Sequence, residues 1–143
     1  MARQGSHPFS EAMALTLGTQ VLSLRGEIHV AQVHAKEGIA LATAQGFPFW
    51  EAWDTILHGW IRAELGQGEE GTAEIHNALA LYPAVEFRTW NLALLAEACG
   101  KAGAIDEGLQ VLTEALAMVK QTGERFYEAE LYVPFRRACL TFV

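Results

Sequence analysis

The chain has 143 residues, of which 51% are hydrophobic and 19% are charged, a mix typical of one compact globular domain and not of a disordered chain. A domain of this size buries roughly 70% of its unfolded surface, so it needs neither disulfides nor a metal to hold a core. Its 17 acidic and 10 basic residues give a net charge of −7. This balance argues against nucleic acid as a partner, because such affinity comes mostly from clustered cations.

The chain has no membrane or secretion signal that we can identify. No apolar run reaches the ~18–20 residues that a membrane span needs, and residues 1–8 lack the apolar core of a signal peptide. Cys99 and Cys139 are isolated cysteines without CxxC spacing, which indicates neither a zinc site nor a disulfide framework. We therefore expect a cytoplasmic protein without a metal or another cofactor.

Apolar residues at spacings of three and four predict helices, and no stretch alternates between apolar and polar residues for long enough to predict a strand. The sequence therefore predicts an all-α protein. The breakers between these periodic segments are Gly26, Gly46 with Pro48, Gly66 with Gly68, Tyr82 with Pro83, Gly103, and Gly123. They predict seven helices, near residues 9–25, 27–45, 48–65, 69–82, 87–101, 105–122 and 125–140. The sixth has an apolar stripe of Ile105, Leu109, Leu112, Leu116 and Val119, and Pro134 interrupts the seventh.

The chain also repeats itself. Residues 53–71 (WDTILHGWIRAELGQGEEG) match residues 90–108 (WNLALLAEACGKAGAIDEG) at a constant shift of 37, and a second shift of 77 relates residues 46–52 to 123–129. Each repeated unit is a pair of predicted helices. We therefore expect a single domain over residues 1–143, with repeats at about 9–45, 48–82 and 87–122 and a half-repeat at 125–143.

The second helix of each pair resembles that of the tetratricopeptide repeat (TPR). The matching positions are Gly66, Glu70, Gly71, Ile75, Ala78, Leu79 and Pro83 in one unit and Gly103, Glu107, Gly108, Leu112, Ala115 and Leu116 in the next. First helices match less well, with His58-Gly59 and Leu95-Ala96 where the family prefers Leu-Gly, and units of 37 and 40 residues exceed the family's 34. The resemblance implies a right-handed superhelical array of antiparallel helix hairpins, an alpha-alpha solenoid whose first helices line a concave groove.

More narrowly, residues 7–132 are similar to the C-terminal repeat tails of large bacterial signalling proteins. The strings that carry this likeness are HPFSEAMAL, GIALATAQGFPFWEAW, HGWIRAELGQGEEG, LALLAEACGKAGAIDEGL and GERFYEAELY. Those proteins join an adenylate/guanylate cyclase or transcriptional-regulator head to a predicted ATPase and then to repeats. The likeness ends at Tyr132, which suggests a fragment of such a tail standing alone. It also implies an alternative role, in which the groove binds a small effector or a cognate signalling head.

The sequence predicts two surfaces that could bind partners. If the helices have the same rotation as in the TPR family, six aromatic and charged side chains face the groove: Trp53, Trp60, Glu64, Trp90, Glu97 and Lys101. We expect Trp50 in the core, whereas Trp53, Trp60 and Trp90 could either pack between repeats or line the groove. The last predicted helix is too apolar for a solvated cap and predicts self-association of two copies. Its residues are Phe126, Tyr127, Leu131, Val133, Phe135, Leu140 and Phe142.

Catalytic patterns are weak. Residues 66–71 (GQGEEG) match the dinucleotide fingerprint G-x-G-x-x-G, but they follow a helical run instead of a strand, which indicates an interhelix turn. The five histidines include no pair at i, i+4 spacing for a metal, and Cys99 falls at a packing position. A small helical hydrolase or transferase using His58 and nearby carboxylates is the least supported alternative. We predict no catalytic residue, and a noncatalytic interaction module that binds a neutral or basic peptide or helix and forms a homodimer.

Overall fold

A computed structural model of the chain describes residues 7–82 and 88–122, and the regular elements within them are all α-helices. They are α1 (Pro8–Leu24), α2 (Ile28–Gln45), α3 (Pro48–Glu64), α4 (Gly68–Leu81), α5 (Arg88–Lys101) and α6 (Ile105–Thr122). The prediction of an all-α chain is confirmed, and these six helices match the predicted bounds to within one residue. The predicted seventh helix, 125–140, lies outside the described residues.

The turns between paired helices repeat along with the sequence. Gly66 and Gly103 adopt positive φ angles of 89° and 79°, a backbone conformation that glycine reaches at little cost. After each of them the chain closes the preceding helix with the same bond: Gln67 N–H donates to the Arg62 carbonyl at 2.8 Å, and Ala104 N–H donates to the Cys99 carbonyl at 2.9 Å. Residues 66–71 therefore connect two helices, as predicted: residues 66–67 form the turn after α3, and residues 68–71 are already the first turn of α4.

The helices pack mainly on their neighbours in sequence. Contacts join α1 to α2, α2 to α3, α3 to α4, and α5 to α6, and further contacts join α1 to α3, α3 to α5 and α4 to α5. Helix α3 therefore touches four other helices and lies at the centre of the described residues. In this part of the chain, no helix has both the length and the apolar character that crossing a membrane requires.

Small residues let the paired helices approach closely. Gly59 of α3 faces Gly71 of α4, and a Cβ added at Gly59 would lie 2.6 Å from the Gly71 carbonyl oxygen and 2.7 Å from Ile75 Cγ1. Helix α2 buries only small residues: Ala31, Ala35, Gly38 and Ala42. Because side chains do not separate the backbones at these positions, the larger residues of α3 fill the remaining space.

The predicted apolar stripe of α6 is partly wrong. Leu112 is buried and Leu116 half-buried, but Ile105 and Leu109 are each 40% exposed. The buried face runs instead through Gly108, Val111, Leu112 and Ala115. The small residues at positions 108 and 115 allow α6 to lie close to α5, and in this orientation the larger side chains at 105 and 109 face solvent.

A pair of glycine substitutions tests this packing. Gly59→Ala should destabilise the protein by about 1–3 kcal/mol, because the new methyl group would collide with the backbone of α4. Gly18→Ala in α1 is the matched control, since its Cβ would meet only His34 Nδ1 at an ordinary 3.6 Å. The control should gain about 0.5–1 kcal/mol from helix propensity. Urea denaturation followed by circular dichroism measures both, and equal effects would contradict the close approach.

Candidate partner-binding face

Two of the six predicted groove residues bond to each other. Trp60 Nε1 of α3 donates to Glu97 Oε2 of α5 at 2.7 Å, and both side chains are buried. The two residues lie 37 positions apart, one repeat. A buried hydrogen bond is strong because little water competes for its atoms, so this bond ties α3 to α5. Trp60 and Glu97 thus connect the repeats beneath the predicted face.

The other four predicted residues remain at least partly accessible. Trp53 and Trp90 are half-buried and pack against the main hydrophobic core, and Trp53 also packs against the smaller core beside α1. Glu64 is half-buried and Lys101 is exposed. Trp53 and Trp90 are also one repeat apart, on the contacting helices α3 and α5. The structure therefore offers two anchored indole rings with a carboxylate and an ammonium farther along the same helices.

An aromatic cluster extends from Trp53 toward the start of α1. Its members are Phe9, Phe47, Phe49, Trp50, Trp53 and Tyr82. Trp50 and Trp53 stack with their planes 10° apart and centroids 5.7 Å apart, whereas the other pairs meet edge to face. Trp50 is buried, as expected. Offset and edge-to-face aromatic pairs are favourable beyond their buried area, so the cluster fixes the orientation of Trp53.

Two depressions adjoin this cluster. One, of about 380 Å³, is lined by Phe9, Phe47, Phe49 and Trp50 together with Gly46 and Pro48. The other, of about 330 Å³, lies between the start of α3 and the end of α4. Its polar lining consists of Glu51, Thr55, Glu74, Asn77 and Tyr82. The first depression suits an apolar side chain, and the second presents carboxylates and an amide to a small polar molecule.

His58 is held by an acidic neighbour. Its Nδ1 lies 2.7 Å from Glu74 Oε1, and the other Glu74 oxygen accepts from Arg62 at 3.4 Å, so Glu74 joins α3 to α4 through two partners. His58 Nε2 is buried and has no hydrogen-bond partner among the described residues. A general base must reach its substrate, and this nitrogen is shielded from solvent. The geometry favours a structural role for His58.

Asp54 is a buried carboxylic acid that the sequence pattern did not single out. It lies in α3 and is 0% exposed, and its Oδ2 is 3.0 Å from the hydroxyl of Thr16 in α1. A Cβ at Gly38 of α2 would collide with the same carboxyl group, so Asp54 sits where α1, α2 and α3 meet. Its Oδ1 is buried and has no hydrogen-bond partner within residues 7–82 or 88–122.

Burial raises the pKa of Asp54 from 3.8 to about 7, although the Thr16 hydroxyl opposes the shift. The hydrogen bonds fit the neutral acid. Thr16 Oγ1 is 3.0 Å from both the Ala12 carbonyl and Asp54 Oδ2. Protonated Asp54 can donate to Thr16 while Thr16 donates to Ala12, whereas ionised Asp54 requires the single Thr16 hydrogen for itself.

Cys99 shows no sign of reactivity. Burial, with a smaller contribution from the Glu107 carboxylate, raises the pKa of its thiol to about 12, so the thiolate is not populated near neutral pH. This agrees with the predicted buried thiol. Within the described ranges, no group of three or more His, Cys, Asp or Glu side chains could hold a metal ion. The predicted self-association residues, from Phe126 to Phe142, lie outside these ranges.

Comparisons with known proteins leave the family open. No protein-family model matches the chain, and no curated protein or solved structure is significantly similar to it. The resemblance to tetratricopeptide repeats therefore stays a prediction.

The titration of Asp54 predicts how stability changes with pH. Since its pKa is higher in the folded chain than in the unfolded one, folding takes up a proton between about pH 4 and pH 7. The free energy of unfolding should therefore fall as pH rises through this window, by about 2–3 kcal/mol from this group between pH 5 and pH 8. Urea denaturation of the unmodified chain and of Asp54→Asn over this range isolates the contribution.

The Asp54→Asn chain should lose that part of the pH dependence and be the more stable of the two at pH 8, because no charge is buried. Asp106→Asn, which changes an exposed acid at the start of α6, should leave the slope in place. If Asp54→Asn and the unmodified chain show the same slope between pH 5 and pH 8, Asp54 does not titrate in this range.

Proposed function

We propose that the chain is a noncatalytic protein-interaction module, a right-handed array of TPR-like hairpins in the cytoplasm that binds a peptide or helix along its first helices. Agreement between the sequence repeat and the contacts supports this proposal. The glycine turns recur at a shift of 37 residues, and the bond between Trp60 and Glu97 joins corresponding positions of neighbouring units. An array of this kind presents a preformed extended surface and needs no folding upon binding.

The pairing of Trp53 with Trp90 is the observation on which the proposal rests. Both rings are anchored in the core and still partly accessible, and large rigid aromatics contribute most to binding because little side-chain freedom is lost. The Trp60–Glu97 bond fixes the helices that carry them. Glu64 and Lys101 would add selectivity for charged groups, and the net charge of −7 favours a neutral or basic segment.

A library of random dodecapeptides displayed on phage tests this function, because the selection does not require the partner to be identified first. We expect the chain to enrich neutral or basic peptides with apolar anchors. Trp53→Ala and Trp90→Ala should each lower the affinity for a selected synthetic peptide by at least about 10-fold, as expected when a buried aromatic contact is lost. Leu81→Ala, at an exposed residue of α4, is the control and should bind normally.

Circular dichroism must show that the tryptophan variants keep their helicity. If folded Trp53→Ala and Trp90→Ala chains bind the selected peptides as tightly as the unmodified chain, these rings are not the binding surface. If no peptide is enriched above background, the peptide-binding function itself is wrong.

A second candidate is a regulatory tail that binds a small effector. The depression between α3 and α4 favours it, since about 330 Å³ is at the lower end of small-molecule sites and its lining offers carboxylates, an amide and a phenol. The polar lining of this depression suits a small amine or polyol. Such a ligand would bind the folded chain only and stabilise it.

A thermal-shift screen of metabolites distinguishes this candidate from peptide binding. A true effector at about 100 times its dissociation constant should stabilise the chain by about 2.7 kcal/mol, which is a shift of several degrees. Asn77→Ala, which alters an exposed lining residue, should abolish that shift, and Trp90→Ala should preserve it. A shift that survives Asn77→Ala would place the ligand elsewhere.

A homodimer is also part of the proposal, and the sequence predicts it from the apolar residues between Phe126 and Phe142. Those residues are outside the described ranges, so it rests on composition alone. Helix α1, within the described residues, exposes a different apolar surface that could join two copies.

A further inference from the structure

Helix α1 exposes five of its seven large apolar side chains, while Leu15 and Leu22 are half-buried. The side chains it buries are small or carry hydroxyl groups: Ala12, Thr16, Thr19 and Ser23. Its outer side carries Phe9, Met13, Leu17, Val21 and Leu24, which are between 39% and 66% exposed. We name these five residues the α1 stripe. A helix normally buries its large apolar residues and exposes its polar ones, so within residues 7–82 and 88–122 the α1 stripe is an apolar surface that remains partly exposed.

We infer that a second copy of this chain covers the α1 stripe, with the two α1 helices packed antiparallel about a two-fold axis near Leu17. The spacing of the stripe supports this arrangement. Its residues follow each other at intervals of four, four, four and three, almost symmetrically on either side of Leu17. When one copy is turned end for end, Met13 of each copy meets Val21 of the other, and apolar positions oppose apolar positions throughout.

The area of the stripe is sufficient for a dimer of modest stability. The exposed parts of its five side chains amount to on the order of 500 Å² on each copy. Two copies would therefore bury on the order of 1,000 Å², which is the lower bound for a specific interface. Helix α1 has 17 residues and is about 25 Å long, so the contact can run along its whole length.

Charge also permits the contact. The stripe has no ionisable side chain, and Glu11 is the only acidic or basic residue in α1, so pairing does not bury an uncompensated charge on this face. Antiparallel helices bring the positive end of each helix dipole beside the negative end of the other. The net charge of −7 makes two copies repel each other at long range. Because salt screens this repulsion, added salt should strengthen the dimer.

The two ends of the stripe differ: one borders a depression and the other carries a protruding leucine. Phe9 belongs to the wall of the aromatic depression of about 380 Å³ that Phe47, Phe49 and Trp50 also line. At the other end, Leu24 is the most exposed residue of the stripe, at 66%. The antiparallel arrangement brings the Leu24 end of each copy to the Phe9 end of the other. A leucine side chain can then occupy the aromatic depression, which is a well-packed contact of the kind that dominates interfaces.

Sedimentation velocity of the full chain at micromolar concentration tests the dimer. We expect a dimer for the unmodified chain, and a dissociation constant at least about 100-fold higher for Leu17→Glu, which would place two carboxylates at the axis. Leu81→Glu makes the same change on an exposed leucine of α4, a helix that has little or no contact with α1, and should remain dimeric. Circular dichroism of each variant checks its fold.

Cysteine cross-linking tests the two-fold axis independently of stability. In a chain that also carries Cys139→Ser, Leu17→Cys should form an intermolecular disulfide on mild oxidation, because the axis brings this position next to itself. Leu81→Cys should not, and Cys99 is buried and should not interfere. Phe135→Glu should leave the dimer intact, since this interface does not need the C-terminal residues.

Four results would overturn the inference. They are a monomer up to about 100 µM, a dimer that withstands Leu17→Glu, an absence of cross-linking at position 17, and dissociation caused by Phe135→Glu alone. The last result would assign self-association to the C-terminal residues instead. Peptide binding through Trp53 and Trp90 is measured separately, so either proposal can fail while the other stands.

Discussion

The close approach of α3 and α4 at Gly59 and Gly71 sets the geometry on which the other contacts depend. At this point the two backbones are nearly in contact, and a methyl group on either glycine would collide with the opposite helix. The separation and rotation of α3 relative to α4 are therefore fixed within narrow limits. Because α3 also contacts α1, α2 and α5, its placement in turn positions Trp53, Asp54 and Trp60 against three different neighbours.

The contacts of α3 differ in chemistry from one side to the other. Toward α5 it uses a large side chain and a buried hydrogen bond, from Trp60 to Glu97, beside apolar residues that are also buried. Toward α1 it uses Asp54 and Trp50, which meet a threonine and an alanine. The first contact excludes water over a wide apolar area. The second buries less apolar surface and includes a carboxyl group whose ionisation is costly.

Much of the fold could be predicted from the sequence because helix ends and repeats are local properties. Gly66 and Gly103 mark turns through their backbone freedom alone, and the shift of 37 residues placed α5 and α6 on the pattern of α3 and α4. The bounds of all six described helices followed from such signals. None of them depends on which helices touch.

The partner-binding face was harder to predict, because it depends on helix rotation and on contacts between distant residues. Trp60 and Glu97 each have the character of groove residues, but contact between α3 and α5 buries both and lets them hydrogen-bond to each other. Asp54 was missed, although its spacing from Trp50 and Leu57 places it on a buried side of α3, a signal that could have found it. In α6, apolar residues form two overlapping faces, one that includes Leu109 and one that includes Val111. Periodicity alone does not distinguish them, and the structure buries the face with Val111.

The outer surface of helix α1 and its inner contacts with α2 and α3 depend on each other. Its inner face gains less from apolar burial than that of α3, because its fully buried residues Ala12, Thr16, Thr19 and Ser23 are small and Leu22 is only partly buried. The hydroxyls of Thr16, Thr19 and Ser23 bond to carbonyls of their own helix, which adds little to the attachment of α1 to α2 and α3. Local unfolding should therefore involve α1 more readily than α3 or α5, whose large side chains are buried in the main core.

A partner that covers the outer face of α1 would compensate for the weak packing of its inner face. Such a partner binds only when α1 is folded and docked, so by mass action it stabilises the contact between Thr16 and Asp54 as well as the helix itself. The effect is reciprocal, since conditions that favour neutral Asp54 also favour the docked α1 that the partner requires. The exposed apolar surface of α1 and the buried acid beneath it are thus linked through the stability of one helix.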